Sequence, residues 1–181
     1  MSERSLTRYG ALVTPPRTPD DLFTRLAELG IEVTTVEHTP VFTVEQAKAH
    51  REGMAGVFTK NLFVRNKKGA MWLVVLQEDR QVDLKALGKR IGAGRISFGS
   101  KERLMRTLGV IAGAVTPFGV INDGQQEVQI VLDQEVLASG PLHFHPLDNG
   151  MTTAIAPGDL LTFLRACDHE PQIVDFAEPA G

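Results

Sequence analysis

Residues 59–76 read Thr59-Lys60-Asn61-Leu62-Phe63-Val64-Arg65-Asn66-Lys67-Lys68-Gly69-Ala70-Met71-Trp72-Leu73-Val74-Val75-Leu76. A charge and an amide lead into an apolar, β-prone run, Asn66–Gly69 supplies hairpin-turn residues, and Met71–Leu76 returns as an almost wholly apolar strand. Upstream, Gly53 and Gly56 loosen the chain before the strand that starts near Lys60. Thr43-Val-Glu-Gln46 is a capping-box pattern opening a short helix to about His50. Ile31–Val36 alternates as a strand, and Thr18 or Asp20 caps a helix with Leu22, Phe23, Leu26 and Leu29 on one face and Gly30 as its stop. Downstream, helices run from Asp83 to Arg90 and from Ser100 to Leu108, ended by Gly92-Ala93-Gly94 and by Gly109. Strands are expected at Val115–Ile121, Val128–Leu132, Leu142–Phe144, Thr152–Ile155 and Gln172–Phe176, with a helix from Pro157 to about Cys167 before the last. Many connections are too short for parallel crossovers. The expected class is therefore α+β, a mixed, barrel-like β-sheet flanked by helices. Residues 1–17 read as a lead-in, 18–176 as one domain and 177–181 as a tail.

The 181 residues are 43% hydrophobic, enough for one sizeable core. No apolar run approaches the roughly 18–20 residues that span a bilayer, and the N-terminus lacks a secretory apolar stretch, so a cytoplasmic setting is expected. One cysteine, Cys167, excludes an internal disulfide and a cysteine-built zinc site. Net charge is −3, but the charge is divided along the chain. Residues 60–106 hold twelve Lys or Arg against four Asp or Glu, while residues 107–181 hold Arg165 against ten acids. Such asymmetry can focus a local positive field on an acidic protein, enough for a small phosphate contact. Solvated faces of short helices would look the same.

Three polar-to-apolar junctions could carry chemistry. Lys60 and Asn61 place a compact cation and an amide together, suited to a phosphate oxygen or ribose edge, although such a lysine is ordinarily a surface charge. Gly113-Ala114-Val115-Thr116-Pro117 brings backbone N–H groups where they could polarise a carbonyl, and Phe118-Gly119 could add an apolar wall with space beside it. His143 and His145 lie two apart, which permits two metal ligands, but no third ligand stands at a convincing spacing, so neither metal nor cofactor is expected. His145 could instead bond a substrate or orient water; a histidine bonded to backbone fits equally well. No motif activates Cys167, and no nucleophile elbow, Walker loop or dinucleotide fingerprint occurs. Hydrolysis would have to proceed by positioning water and substrate.

Together, Thr59-Lys60-Asn61-Leu62-Phe63, the segment Gly113-x-x-x-Pro117-Phe118-Gly119-x-Ile121-Asn122-Asp123, and Phe144-His145-Pro146-Leu147-x-Asn149 with Thr152-Thr153 resemble the YbaK/prolyl-tRNA-synthetase editing-domain superfamily, on its free-standing ProX-type branch. The resemblance covers residues 18–176 and implies a deacylase that hydrolyses the ester joining alanine to the terminal adenosine of mischarged tRNA(Pro). It implies Lys60 at the terminal phosphate, Gly113–Pro117 at the aminoacyl end and His145 beside the aminoacyl pocket; Asn61, Gly119 and, as walls of a small pocket, Val115, Phe118 and Phe144 are the further candidates for binding. It also implies a bound water assisted by a substrate ribose hydroxyl, and transient contact with prolyl-tRNA synthetase. Ala114 departs from the serine that many relatives carry. Cysteine or another small aminoacyl group, a non-catalytic tRNA-binding module of the same fold and, third, a metal hydrolase are the competing readings.

Overall fold

The hairpin at residues 59–76 anchors the computed structural model of the chain, which describes residues 5–6, 12–40, 42–49, 51 and 54–177. The elements are β1 (Ser5–Leu6), β2 (Leu12–Val13), α1 (Pro19–Glu28), β3 (Thr34–Glu37), α2 (Val44–Ala49), β4 (Val57–Asn66), β5 (Met71–Gln77), α3 (Leu84–Arg90), β6 (Ile96–Phe98) and α4 (Lys101–Leu108). Two 3₁₀ turns follow, Ala112–Ala114 and Pro117–Asn122. The chain then continues as β7 (Val128–Asp133), α5 (Gln134–Ala138), β8 (Leu142–Phe144), β9 (Met151–Ile155), α6 (Pro157–Ala166) and β10 (Gln172–Val174).

The large sheet is mixed, as expected. Its order is β10-β7-β5-β4-β8-β9-β3, with β6 also on β4. β4 pairs antiparallel with β5 from Thr59 to Arg65. Its other edge divides: Val57 and Phe58 run parallel to β8, while Val64–Asn66 run antiparallel to β6. One ten-residue strand thus serves two diverging part-sheets, and the candidate site lies where β8 joins.

β5 explains why its sequence is a continuous apolar run. Met71, Leu73 and Val75 face a core closed by Leu22 and Leu26 of α1, Leu104 and Leu108 of α4, and Leu160, Phe163 and Leu164 of α6. Trp72, Val74 and Leu76 face a second core under Leu87 and Ile91. A strand buried on both faces cannot alternate. At ~25 cal/mol per Å² of apolar surface removed from water, each such side chain stabilises the fold by about 1.5–3 kcal/mol.

Thr18 caps α1 in a reciprocal box with Asp21, and Ser100 and Asp83 cap α4 and α3. Several boundaries differ from expectation. The strand at Ile31–Val36 lies at Thr34–Glu37, and the strand expected to start near Lys60 begins at Val57, so Lys60 sits inside β4. Val115–Ile121 is not a strand. Val115 and Thr116 are extended, but Pro117 begins a 3₁₀ turn whose Phe118 N–H is capped by the Thr116 hydroxyl. β6, α5 and the paired β1 and β2 were not anticipated. Gly53 and the expected helix end at His50 lie outside the described residues.

Candidate functional site

At the split in β4 lies a small cavity of about 80 Å³. Phe58, Thr59 and Asn61 of β4 contribute one side, His143 and Phe144 of β8 with His145 another, and Val36, His38 and Thr152 from the β3–β9 ribbon a third. Arg51 and Met54, which precede β4, complete it.

Backbone carbonyls fix the histidines. A carbonyl only accepts, so His143 donates through Nε2 to Ala55 (2.7 Å) and His145 donates through Nδ1 to Met151 (2.7 Å). Burial pushes the His145 pKa down. The Met151 carbonyl and Asp148 oppose that, His38 and Arg51 add to it, and the net shift is downward. His145 is therefore neutral at neutral pH, and its Nε2 is an acceptor. His38 donates through Nδ1 to the Thr39 carbonyl, and its Nε2 meets the Thr152 hydroxyl at 2.8 Å.

Arg51 is the cation on this wall. Its guanidinium lies 4.0 Å from the Phe58 ring centroid, and Phe58 stacks on His143 at 4.5 Å and 7°. Glu78 accepts two bonds from Arg51 at 2.6 and 2.7 Å, fixing the stack from outside. Gly56 closes the back, with φ +119°. A Cβ there would overlap the Pro141 carbonyl oxygen and lie 2.9 Å from His143 Nε2. Gly56 is thus pinned by close approach, where the sequence suggested looseness.

The predicted residues divide in the structure. Asn61 and the Gly113 loop meet directly, because Asn61 Nδ2 donates to the Val115 carbonyl at 3.1 Å. Gly113 faces the Asn149 amide and the Phe42 ring, which would lie 3.4 and 3.5 Å from its Cβ. Phe144 and His145 line the cavity. Ala114, Thr116 and Pro117 are buried, Val115 is half-buried against the main core, and Phe118 stands edge-on to Phe144 and Phe163 at 5.8 and 5.5 Å. Phe118 is therefore a core residue that backs Phe144. The space beside Gly119 is filled by Leu108, whose Cβ a Gly119 Cβ would meet at 2.8 Å. Lys60 does not line the cavity; its ammonium donates to the Arg80 main-chain carbonyl.

Sequence reasoning singled out neither His38, Arg51 nor Phe58, and it quoted Thr152 only as part of a motif, without a place in the cavity. The motif segment containing Asn149 was visible, but not its place beside Gly113. Among the described residues, four buried side-chain polar atoms have no hydrogen-bond partner: Thr59 Oγ1, Asn61 Oδ1, His143 Nδ1 and Asn149 Nδ2. Three belong to residues lining this cavity, and the fourth adjoins Gly113. An unpaired buried polar group costs about 1–3 kcal/mol, so such a concentration marks a place where a ligand's own polar atoms complete the bonding. No three potential metal ligands come together among the described residues, and no helix among them is long and apolar enough to cross a membrane.

Comparison with known proteins places these observations. The aminoacyl-tRNA editing domain family matches residues 38–163, which include every cavity-lining residue except Val36. A prolyl-tRNA synthetase associated domain-containing protein 1 of Danio rerio is 39% identical over 169 residues, 92% of each chain. The prolyl-tRNA editing protein ProX of Acetoanaerobium sticklandii is 38% identical over 143 residues, 78% of this chain and 87% of that one. A crystal structure of a candidate trans-editing enzyme for prolyl tRNA synthetase superposes with TM-score 0.67 at 18% identity, covering 87% of this chain and 94% of that one; at that identity the likeness speaks for the fold. The chain belongs to the aminoacyl-tRNA editing domain family, related to the ProX editing proteins, and its enzyme class is aminoacyl-tRNA deacylase.

Proposed function

We propose that the protein deacylates Ala-tRNA(Pro) in trans, hydrolysing the ester at the terminal adenosine. The observation that carries this reading is the small cavity with unpaired polar atoms converging on it beside the Gly113 loop. A volume of about 80 Å³ exceeds what one water needs, yet falls short of the ~150 Å³ that admits benzene. It suits a methyl-bearing acyl group better than a pyrrolidine ring. A synthetase pocket gains only about 1–3 kcal/mol of discrimination per methylene, and a second, smaller site supplies the remainder by size. Phe144, with Val36 and Met54, forms the apolar part of that sieve. Val115 and Phe118 support it from behind.

In this mechanism the Gly113–Pro117 backbone holds the acyl carbonyl, and Asn61 fixes that loop through Val115. His145 Nε2 accepts a hydrogen bond from the substrate or from water. Lys60 holds one carbonyl and keeps further N–H donors for the terminal phosphate. The attacking water is assisted by the neighbouring ribose hydroxyl, which fits the lack of an activated nucleophile among the described residues. Burial raises the Cys167 pKa, and that thiol packs against the main core. Transient contact with prolyl-tRNA synthetase would deliver the substrate.

The test is parallel hydrolysis of Ala-tRNA(Pro), Cys-tRNA(Pro) and Pro-tRNA(Pro) by the purified protein. Fast release of alanine with proline untouched is expected. Equal rates on all three, or no alanine release, would sink the substrate assignment, and preference for cysteine would transfer it.

A further inference from the structure

We propose that the far end of the β4–β5 hairpin is a second RNA-contact surface, which grips the phosphate backbone of the tRNA acceptor stem at a distance from the cavity. Lys67, Lys68 and Arg95 line one surface recess, and Lys85, Lys89 and Arg95 line an adjoining one that shares Gly94. All five cations are exposed, and no carboxylate lines either recess. Among the described residues none of the five forms an ion pair. That sets them apart from Arg25, Arg51, Arg80, Arg106 and Arg165, each of which holds a glutamate or aspartate.

A run of solvated lysines on one helix would need no explanation, and Lys89 is already favoured at the C-terminal end of α3. Here three separate elements converge and are bonded in place. Asn66 takes the Lys68 and Ala70 amides on its Oδ1 and donates through Nδ2 to the Ala93 carbonyl, locking the hairpin turn to the loop after α3. The pairing Asn66↔Ile96 sets Arg95 beside that turn. The positive groups are therefore preorganised on a chain whose net charge is −3, with Asp83 at the N-cap of α3 near Lys85 but no carboxylate lining either recess.

The spacing indicates which part of the RNA would be touched. Thr59 lines the cavity and Asn66 begins the turn. Seven residues of strand separate them, about 23 Å at ~3.3 Å per residue. For a 3′ end stacked on its stem, at ~3.4 Å of helix axis per phosphate of one strand, that is roughly seven nucleotides behind the esterified end. The unpaired 3′ end is shorter than this, so the contact falls on the paired stem. The proposal rests on a tRNA terminus occupying the cavity, and its test separates the two.

Two charge-reversal variants, Lys67→Glu/Lys68→Glu and Lys85→Glu/Lys89→Glu/Arg95→Glu, are assayed on full-length Ala-tRNA(Pro) and on an alanyl ester of only the unpaired 3′ end. With the full-length substrate kcat/KM should fall at least about tenfold through KM, and the salt slope should shrink by about 1 per lost phosphate contact. The short ester should react as with wild type. Lys101→Glu on α4, outside both recesses, should change neither. Equal losses on both substrates, no loss on either, or an equal effect of Lys101→Glu would overturn the surface. If the wild-type protein hydrolyses neither substrate, the proposed activity falls. Binding of uncharged full-length and truncated tRNA to the same variants then still decides this surface, and unweakened binding rejects it.

Discussion

His145 shows how one side chain's environment sets its chemistry. Its Nδ1–H is committed to Met151, and burial holds its pKa below the ordinary value of 6.5, so the neutral ring offers Nε2 as an acceptor across neutral pH. His145→Ala should cost one hydrogen bond in a buried setting, about 1–3 kcal/mol, seen as a loss of roughly five- to 150-fold in kcat/KM. Protonation removes the acceptor, and the lowered pKa moves that event to acid. The rate should stay level through neutrality and fall only below pH 6.5; single-turnover deacylation from pH 5 to 8 measures this, and a fall centred above 6.5 would refute the assignment. Gly56 is the second decisive residue. Gly56→Ala adds left-handed strain and drives a methyl into the Pro141 carbonyl and against His143. A loss of about 2–4 kcal/mol in urea unfolding is expected, together with weakened deacylation. Were stability unchanged, the packing of Gly56 against β8 would be wrong.

At the scale of elements, the site depends on β4 holding the loop between α4 and β7. Asn61 is the tie, and Asn61→Ala should free the Val115 carbonyl and slow deacylation about tenfold while lowering stability by only about 1 kcal/mol. Amide hydrogen exchange should show faster exchange at 112–118 with β5 unaffected; an unaltered loop would show that Asn61 does not position it. The helices and the β4–β5 hairpin were legible in the sequence because caps, glycine stops and period are local signals. The loop was not. Val115, Val120 and Ile121 are β-branched and looked like a strand, but Pro117 and the Thr116 cap turn them into a 3₁₀ segment. The tight packing of Gly56, where looseness was expected, has the same root, since close approach to Pro141 and His143 is a tertiary fact. The cavity itself was half legible: Asn61, His143, Phe144 and His145 could be named from the sequence, as could the Gly113 loop beside it. Arg51 and His38 could not, because only the tertiary fold brings them to one wall, and Thr152, quoted in a motif, gained its place there only through the pairing of β9 with β3 and β8.

Across the whole molecule, the buried pair of His169 and Asp123 joins the end of α6 to the start of β7. Asp123 accepts from the Glu127 and Val128 amides and from His169 Nε2, and His169 Nδ1 bonds the Cys167 carbonyl. Both ring nitrogens thus face acceptors, which calls for the imidazolium. Burial opposes charge on each partner, yet the hydrogen bonds prevail: the His169 pKa is raised above 6.5 and that of Asp123 lowered below 3.8. A raised histidine stabilises the fold fully below 6.5 and loses that contribution as pH rises through the folded value. A lowered aspartate stabilises above 3.8 and loses its contribution as pH falls through its folded value. The pair therefore supports the fold fully between those limits, with decline on both flanks. With both side chains at most 2% exposed, Asp123→Ala should strand the imidazolium and cost about 3–5 kcal/mol. His169→Gln retains a donor for Asp123 but no titrating group. Its urea midpoint should be lower than wild type at pH 6 and should lack the wild-type decline above 6.5. A wild-type midpoint that does not decline there would mean that His169 is neutral in the folded protein, and that the α6–β7 junction is held by hydrogen bonds alone.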